Sequence, residues 1–204
     1  PQPVLYGAVT GGSLPGAKVM VLRWEDGFVH TFEDVRRAYP RGIDPRPSIW
    51  IWRRILELLA FLHYTSGFIH GAVLPPHLLI QNGEHGVRLV GFRCANLPGL
   101  PLRDVDSRFA SFYPRELLAG RTLTAAADLA MSARCVAVLL GGDAASGEVP
   151  GAVPAPLAHE IHRVSSLREA SLSDAWELRE SLGELARKVF GPPAFCPLIM
   201  PEEA

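Results

Sequence analysis

An excess of charge of either sign, paired cysteines and long apolar runs are all missing from this chain of 204 residues. Its 20 lysines and arginines nearly balance 21 aspartates and glutamates, for a net charge of −1. No field is left to gather nucleic acid or an anionic membrane. The three cysteines, Cys94, Cys135 and Cys196, are isolated and odd in number. They exclude a disulfide framework and any zinc-finger spacing, and point to buried thiols in a reducing cytoplasm. No stretch approaches the roughly 18 apolar residues of a membrane span, although Cys135–Leu140 is among the longest runs. There is no signal-peptide pattern, and Pro1 in place of methionine reads as the start of a processed or excerpted chain. Internal repeats are missing as well. The one glycine-rich stretch, GAVTGGSLPG at 7–16, matches no phosphate-binding loop and reads as a surface hairpin turn. What is present is ordinary for a folded protein, with 48% hydrophobic and 20% charged residues, enough for one sizeable core or two small domains.

Local patterns predict a mainly helical α+β chain. Two short strands, around Val4–Tyr6 and from Ala17 to Trp24, flank the glycine-rich turn. Thr31-Phe32-Glu33-Asp34 is a Thr-x-x-Asp start that can cap a helix reciprocally, giving a short helix to Tyr39, ended by Pro40 and Gly42. A long helix follows over about Pro47–His63, with Trp52, Ile55, Leu56, Leu59 and Leu62 in a stripe wide enough for a core position. Thr124–Leu140 carries only Asp128 and Arg134 as charges, so it is buried nearly all round, with Thr124 as cap and Gly141-Gly142 as stop. Pro156–Val164 and about Leu172–Phe190 read as two further helices, the second with Ala175, Leu178, Leu182, Leu185 and Val189 facing the core. His159 and His162, one turn apart, read as solvated or capping residues. The tail Gly191–Met200 is proline-rich and apolar, a strap against the domain or an edge for a partner.

The central stretch is Phe68–Phe92, FIHGAVLPPHLLIQNGEHGVRLVGF. Pro75-Pro76 stiffens a non-helical loop. Leu78–Ile80 and Val87–Val90, split by Asn82-Gly83 and His85-Gly86, form a β-hairpin. The segment resembles the catalytic loop and following hairpin of the eukaryotic-like protein kinases, where a His-Arg-Asp loop leads to an Asp-Phe-Gly turn. Tyr113-Pro114-Arg115-Glu116 is similar to that family's Ala-Pro-Glu segment, with one extra residue. Asp128 stands where the family's central helix carries an aspartate that binds the loop's backbone amides. The resemblance spans roughly residues 4–190. It implies a small-lobe remnant at 1–27 and a large lobe at 28–204, and places the phosphate loop, ATP-holding lysine and glutamate-bearing helix before Pro1.

The frame is kept and the chemistry is missing. His70 holds the loop histidine position, but Gly71 replaces the arginine and Ala72 the catalytic aspartate. Leu74 stands for the loop lysine, His77 for the magnesium-holding asparagine and Gly91 for the metal-binding aspartate. A methyl, an isobutyl group and a hydrogen neither accept a proton nor ligate a hard cation. The resemblance therefore implies a degenerate, bacterial-type pseudokinase. Its expected role is a cytoplasmic scaffold that binds a protein partner and uses no ATP, magnesium or other cofactor, with no catalytic, cofactor-binding or metal-binding residues. The competing reading is a divergent ATP-binding phosphotransferase recruiting Glu84, Asp104 or Asp106 as substitute metal ligands. His63, His70, His77 and His85 recur every seven or eight residues, but on a helix end, a loop and a turn they are expected not to converge. Ser107 and Ser111 lie in the long loop 93–112, where a phosphate would lack the arginine replaced by Gly71. Ser171-Leu172 stands where the family has an Arg-Pro pair, leaving Glu116 to find another partner such as Arg168.

Overall fold

The computed structural model describes residues 2–13, 15–23, 26–166 and 174–201. They form an α+β fold of helices and two small sheets, of which the second contributes Leu78, Ile80 and Val87 to the core. The first sheet is an antiparallel pair, β1 (Gln2–Ala8) and β2 (Lys18–Arg23), with an irregularity in register between Pro3 and Leu5. Both faces of this pair are apolar and exposed, with Leu5 58% and Tyr6 66% accessible. Trp24, at the expected end of the second strand, and Arg168, Ser171 and Leu172 lie outside the described residues.

The second sheet has three strands where the sequence suggested two. β3 (His30–Thr31) pairs with β4 (Leu78–Ile80), which pairs with β5 (Val87–Leu89). β3 runs straight into α1 (Phe32–Ala38). Thr31 accepts from the Asp34 amide, and the Asp34 carboxylate accepts from the Thr31 amide at 2.8 Å, the reciprocal cap expected from the sequence. α2 (Pro45–Phe61) starts two residues earlier than expected. Asp44 caps it by accepting from the Arg46 amide, and Pro45 fills the first position, where no donor is needed. Its last turn widens into a π-turn over 62–66, which left-handed Gly67 ends.

α3 (Arg115–Leu118) is a single turn. α4 (Ala125–Leu139) is the centre of the fold: even Ser132 and Asp128 are fully buried, and Arg134 is 6% exposed. α2 packs on α4 and on α6 (Ala175–Phe190), and α5 (Ala155–Ser165) packs on α4. Trp52, the largest buried side chain, donates its indole N–H to Ser132 Oγ at 3.0 Å, so the α2–α4 contact buries no unpaired donor there. Cys94 and Cys135 are buried as expected, whereas Cys196 is half-exposed in the tail. Burial raises the Cys135 thiol well above its ordinary value. Among the described residues no helix is long and apolar enough to cross a membrane.

Candidate functional site

The site is built around the Asp128 carboxylate, near the start of α4. It is fully buried and accepts three donors: the His70 amide at 2.7 Å, the Gly71 amide at 2.9 Å and His63 Nε2 at 2.9 Å. A buried carboxylate must be paired, and here its partners come from the end of α2 and from the loop that precedes β4. Asp128 thereby fixes where the loop sits. Gly71 takes φ +71°, which a side chain would resist, and its missing Cβ leaves room for the Cys94 carbonyl at 3.1 Å and Leu123 at 3.2 Å from that position.

His70 is fully buried. Its Nε2 sits 3.0 Å from the Val90 carbonyl, so it must donate there, leaving Nδ1 to accept the Ala72 amide at 3.3 Å. That tautomer is neutral. Burial lowers the His70 pKa, with the His77 charge adding to the effect and Asp128 and the Val90 bond opposing it. The unfolded chain therefore binds a proton that the folded chain refuses as pH falls below the ordinary histidine value, and stability rises with pH through that window. Chemical denaturation at pH 5 and pH 7 checks this: the wild-type chain should be the less stable at pH 5, and His70→Asn should narrow the gap.

His77 is the last residue of a short 3-10 turn over Pro75–His77. Its Nδ1 donates to the Ala72 carbonyl at 2.8 Å. The ring then lies over Gly91: a Cβ on Gly91 would sit 2.5–2.7 Å from three His77 ring atoms, and Gly91 has φ +79°. The two positions at which the resemblance would place magnesium ligands are thus filled by one imidazole leaning on a bare backbone. Ala72 and Leu74 are buried, 1% and 0% exposed, and Phe92 packs edge-on against His70 with ring centres 4.7 Å apart.

His63, His70 and His77 lie nearer one another than their separate elements suggest, although His70 reaches Asp128 through its backbone amide and not its ring. His63 and His70 meet at Asp128, and the His70 and His77 rings lie edge-on, 6.1 Å apart. Helix α2 and the loop are both tied to α4, and this shared anchor outweighs their separate local geometries. His85 does stay apart, its Nε2 donating to the Cys196 carbonyl at 2.6 Å. Among the described residues no group of three or more histidines, cysteines or carboxylates is placed to hold a metal. Asp104 pairs with Arg93 at 2.6 Å, Asp106 pairs with Arg108 at 2.7 Å, and Glu84 lies in the β4–β5 turn. His162 Nδ1 donates to the Ser146 carbonyl.

Arg134 was legible in the sequence only as a charge on α4, and its role was missed. Its Nη1 donates to the carbonyls of Ser111 and Tyr113 at 3.0 and 2.8 Å, and its Nε and Nη2 to Ser165 at 3.1 and 3.0 Å. Burial lowers its pKa, and Glu116 is the main opposing charge. Arg134 thus lies in the field of Glu116; Arg168, one partner the sequence offers for Glu116, lies outside the described residues. Ser107 and Ser111 fall in a 3-10 segment over Ser107–Phe112, capped by Asp106. Two cavities adjoin the region: one of about 520 Å³ between β1–β2 and Leu89–Arg93, and one of about 620 Å³ beside the β4–β5 turn. No protein-family model matches the chain, and a search of curated proteins finds no match.

Proposed function

We propose that the chain is a kinase-like large lobe, with a remnant of the small lobe, that has given up phosphotransfer and acts as a protein-interaction scaffold. One observation carries the reading. The buried aspartate that positions the loop is in place and fully bonded, while the positions for proton transfer and metal binding hold groups that do neither. Phosphoryl transfer works by positioning and by neutralising charge with metal ions. A hydrogen and an imidazole whose Nδ1 is committed to a carbonyl offer no oxygen ligands for magnesium. Magnesium therefore does not fit the residues present at these two positions. The competing phosphotransferase reading asks for Glu84, Asp104 or Asp106; Asp104 and Asp106 pair with Arg93 and Arg108, and Glu84 lies in the β4–β5 turn.

Calorimetry and thermal shift with ATP, with and without magnesium, test this. A ligand of the folded state at 100 times its dissociation constant stabilises by about 2.7 kcal/mol, and we expect no shift. A magnesium-dependent shift would overturn the reading. Restoring the aspartate alone does not restore binding: Gly91→Asp forces a side chain into a left-handed backbone against the His77 ring. It should cost about 2 kcal/mol or more, measured by urea denaturation.

A further inference from the structure

Three arginines line one small concavity on the face between α2 and α6. A cavity of about 130 Å³ there is lined by Arg46, Arg53 and Arg187, with Trp50 and Phe190 as aromatic walls and no acidic side chain in the lining. In a chain whose charges nearly cancel, three guanidinium groups on one small concavity are a built feature. Arg53 is held in place. Its Nε donates to the Arg179 carbonyl at 3.1 Å, its guanidinium lies 5.1 Å from the Trp50 ring centre, and Gly183 opens the space it occupies, since a Cβ there would be 3.2 Å from its Cζ and Nη2. Arg187 is exposed and makes no side-chain ion pair among the described residues. Arg46 gives its Nε and Nη2 to Asp44 and keeps Nη1. Arg187 therefore carries a charge with no ion pair among the described residues, while Arg53 also lies in the fields of Glu180 and Glu57. Burial, followed by the Arg179 charge, lowers the Arg53 pKa, with Glu180 and Glu57 opposing.

The pocket is not closed. Trp50, Pro193 and Ala194 line it and also line the adjoining cavity of about 620 Å³, whose walls include Leu58, Val87 and Phe195, the last 71% exposed. An anion-sized pocket opening into a longer, partly apolar groove has the shape of a side-chain subsite beside a main-chain track. Planar guanidinium forks match tetrahedral oxyanions in pairs, and such clusters read phosphorylated motifs. We propose that Arg53, Arg187 and Arg46 bind the phosphoryl group of a phosphorylated side chain, and that the partner segment carrying it lies along the groove past Trp50 and Phe195. None of these residues belongs to the Asp128 site, so the inference stands apart from the kinase-like reading.

Three probes test it: inorganic phosphate, the pentapeptide acetyl-Gly-Ala-phosphoserine-Ala-Gly-amide, and the same peptide without phosphate. Each is titrated against the full chain by tryptophan emission and by heteronuclear NMR, with the Trp50 indole assigned. The phosphopeptide should bind saturably with a dissociation constant of about 1 mM or below, roughly tenfold tighter than inorganic phosphate, and the unmodified peptide should not bind. Arg187→Glu, a substitution at an exposed position, should weaken the phosphopeptide at least about tenfold, with Arg187→Lys intermediate. Equal affinity for phosphate and phosphopeptide would overturn the peptide track and leave a free-anion site. No Trp50 response to either phosphorylated probe at about 20 mM would overturn the pocket itself.

Discussion

Asp128→Ala should lose about 3–5 kcal/mol of folding stability at neutral pH. The substitution removes the acceptor for the His70 and Gly71 amides and for His63 Nε2, all within 2.7–2.9 Å in the wild-type chain. His70 is fully buried, so water cannot replace what is lost without opening the loop. Against a typical total of about 5–15 kcal/mol, the variant should be near the edge of folding. Asp128→Asn keeps the volume and one acceptor oxygen and should recover part of the loss. Urea denaturation followed by circular dichroism measures both. A loss below about 1 kcal/mol for the alanine variant would mean that the loop is held by packing alone, and that Asp128 is not its anchor. The same variant bears on function. If the loop's shape is what the fold preserves, amide exchange should quicken at His70–Leu74 before it does in α5.

How much of this was readable depends on whether the cause is local. The reciprocal Thr31–Asp34 cap, the burial of α4 and the hairpin over 78–89 follow from neighbours in the sequence, and each stands where the pattern places it. The sequence pattern places the start of α2 at Pro47, two residues late, because the apolar stripe does not mark the Asp44 cap and Pro45, which fills the first position where no donor is needed. β3 was missed because two residues carry no alternation; only their pairing with Ile80 and Leu79 makes them a strand. The tail reads as apolar in sequence, but its track is set by distant contacts: Leu198 accepts from the Gly83 amide, the Asn82 side chain accepts from the Met200 amide, and Tyr39 donates to the Ile199 carbonyl. At the site, the missing carboxylates were legible residue by residue. That the His77 ring covers Gly91, and that His63 and His70 share one carboxylate, depends on three elements far apart in sequence meeting at α4.

Arg134→Met carries the second large effect, again about 3–5 kcal/mol. The guanidinium donates to three carbonyls, those of Ser111, Tyr113 and Ser165, and it joins the middle of α4 to the end of α5 and to the turn before α3. Methionine fills the volume of the stem but removes the donor from all three carbonyls, two of them on the buried residues Tyr113 and Ser165. Arg134→Lys is the informative control. It keeps the charge facing Glu116 but has a single nitrogen, so it cannot reach both sides of the junction with the planar fork. It should recover less than half of the loss. The two substitutions also differ in what they loosen. If Arg134 fastens the Ser107–Tyr113 segment, limited proteolysis of Arg134→Lys should cut within that segment while the hairpin strands β4 and β5 stay protected. Cleavage spread evenly over the chain would show instead that Arg134 supports the core as a whole. The contrast with Asp128 is then direct, since one buried charge on α4 holds the loop ahead of the hairpin and the other holds the segment after it. Combining Asp128→Asn with Arg134→Lys should give nearly additive losses, because the two charges share no partner among the described residues.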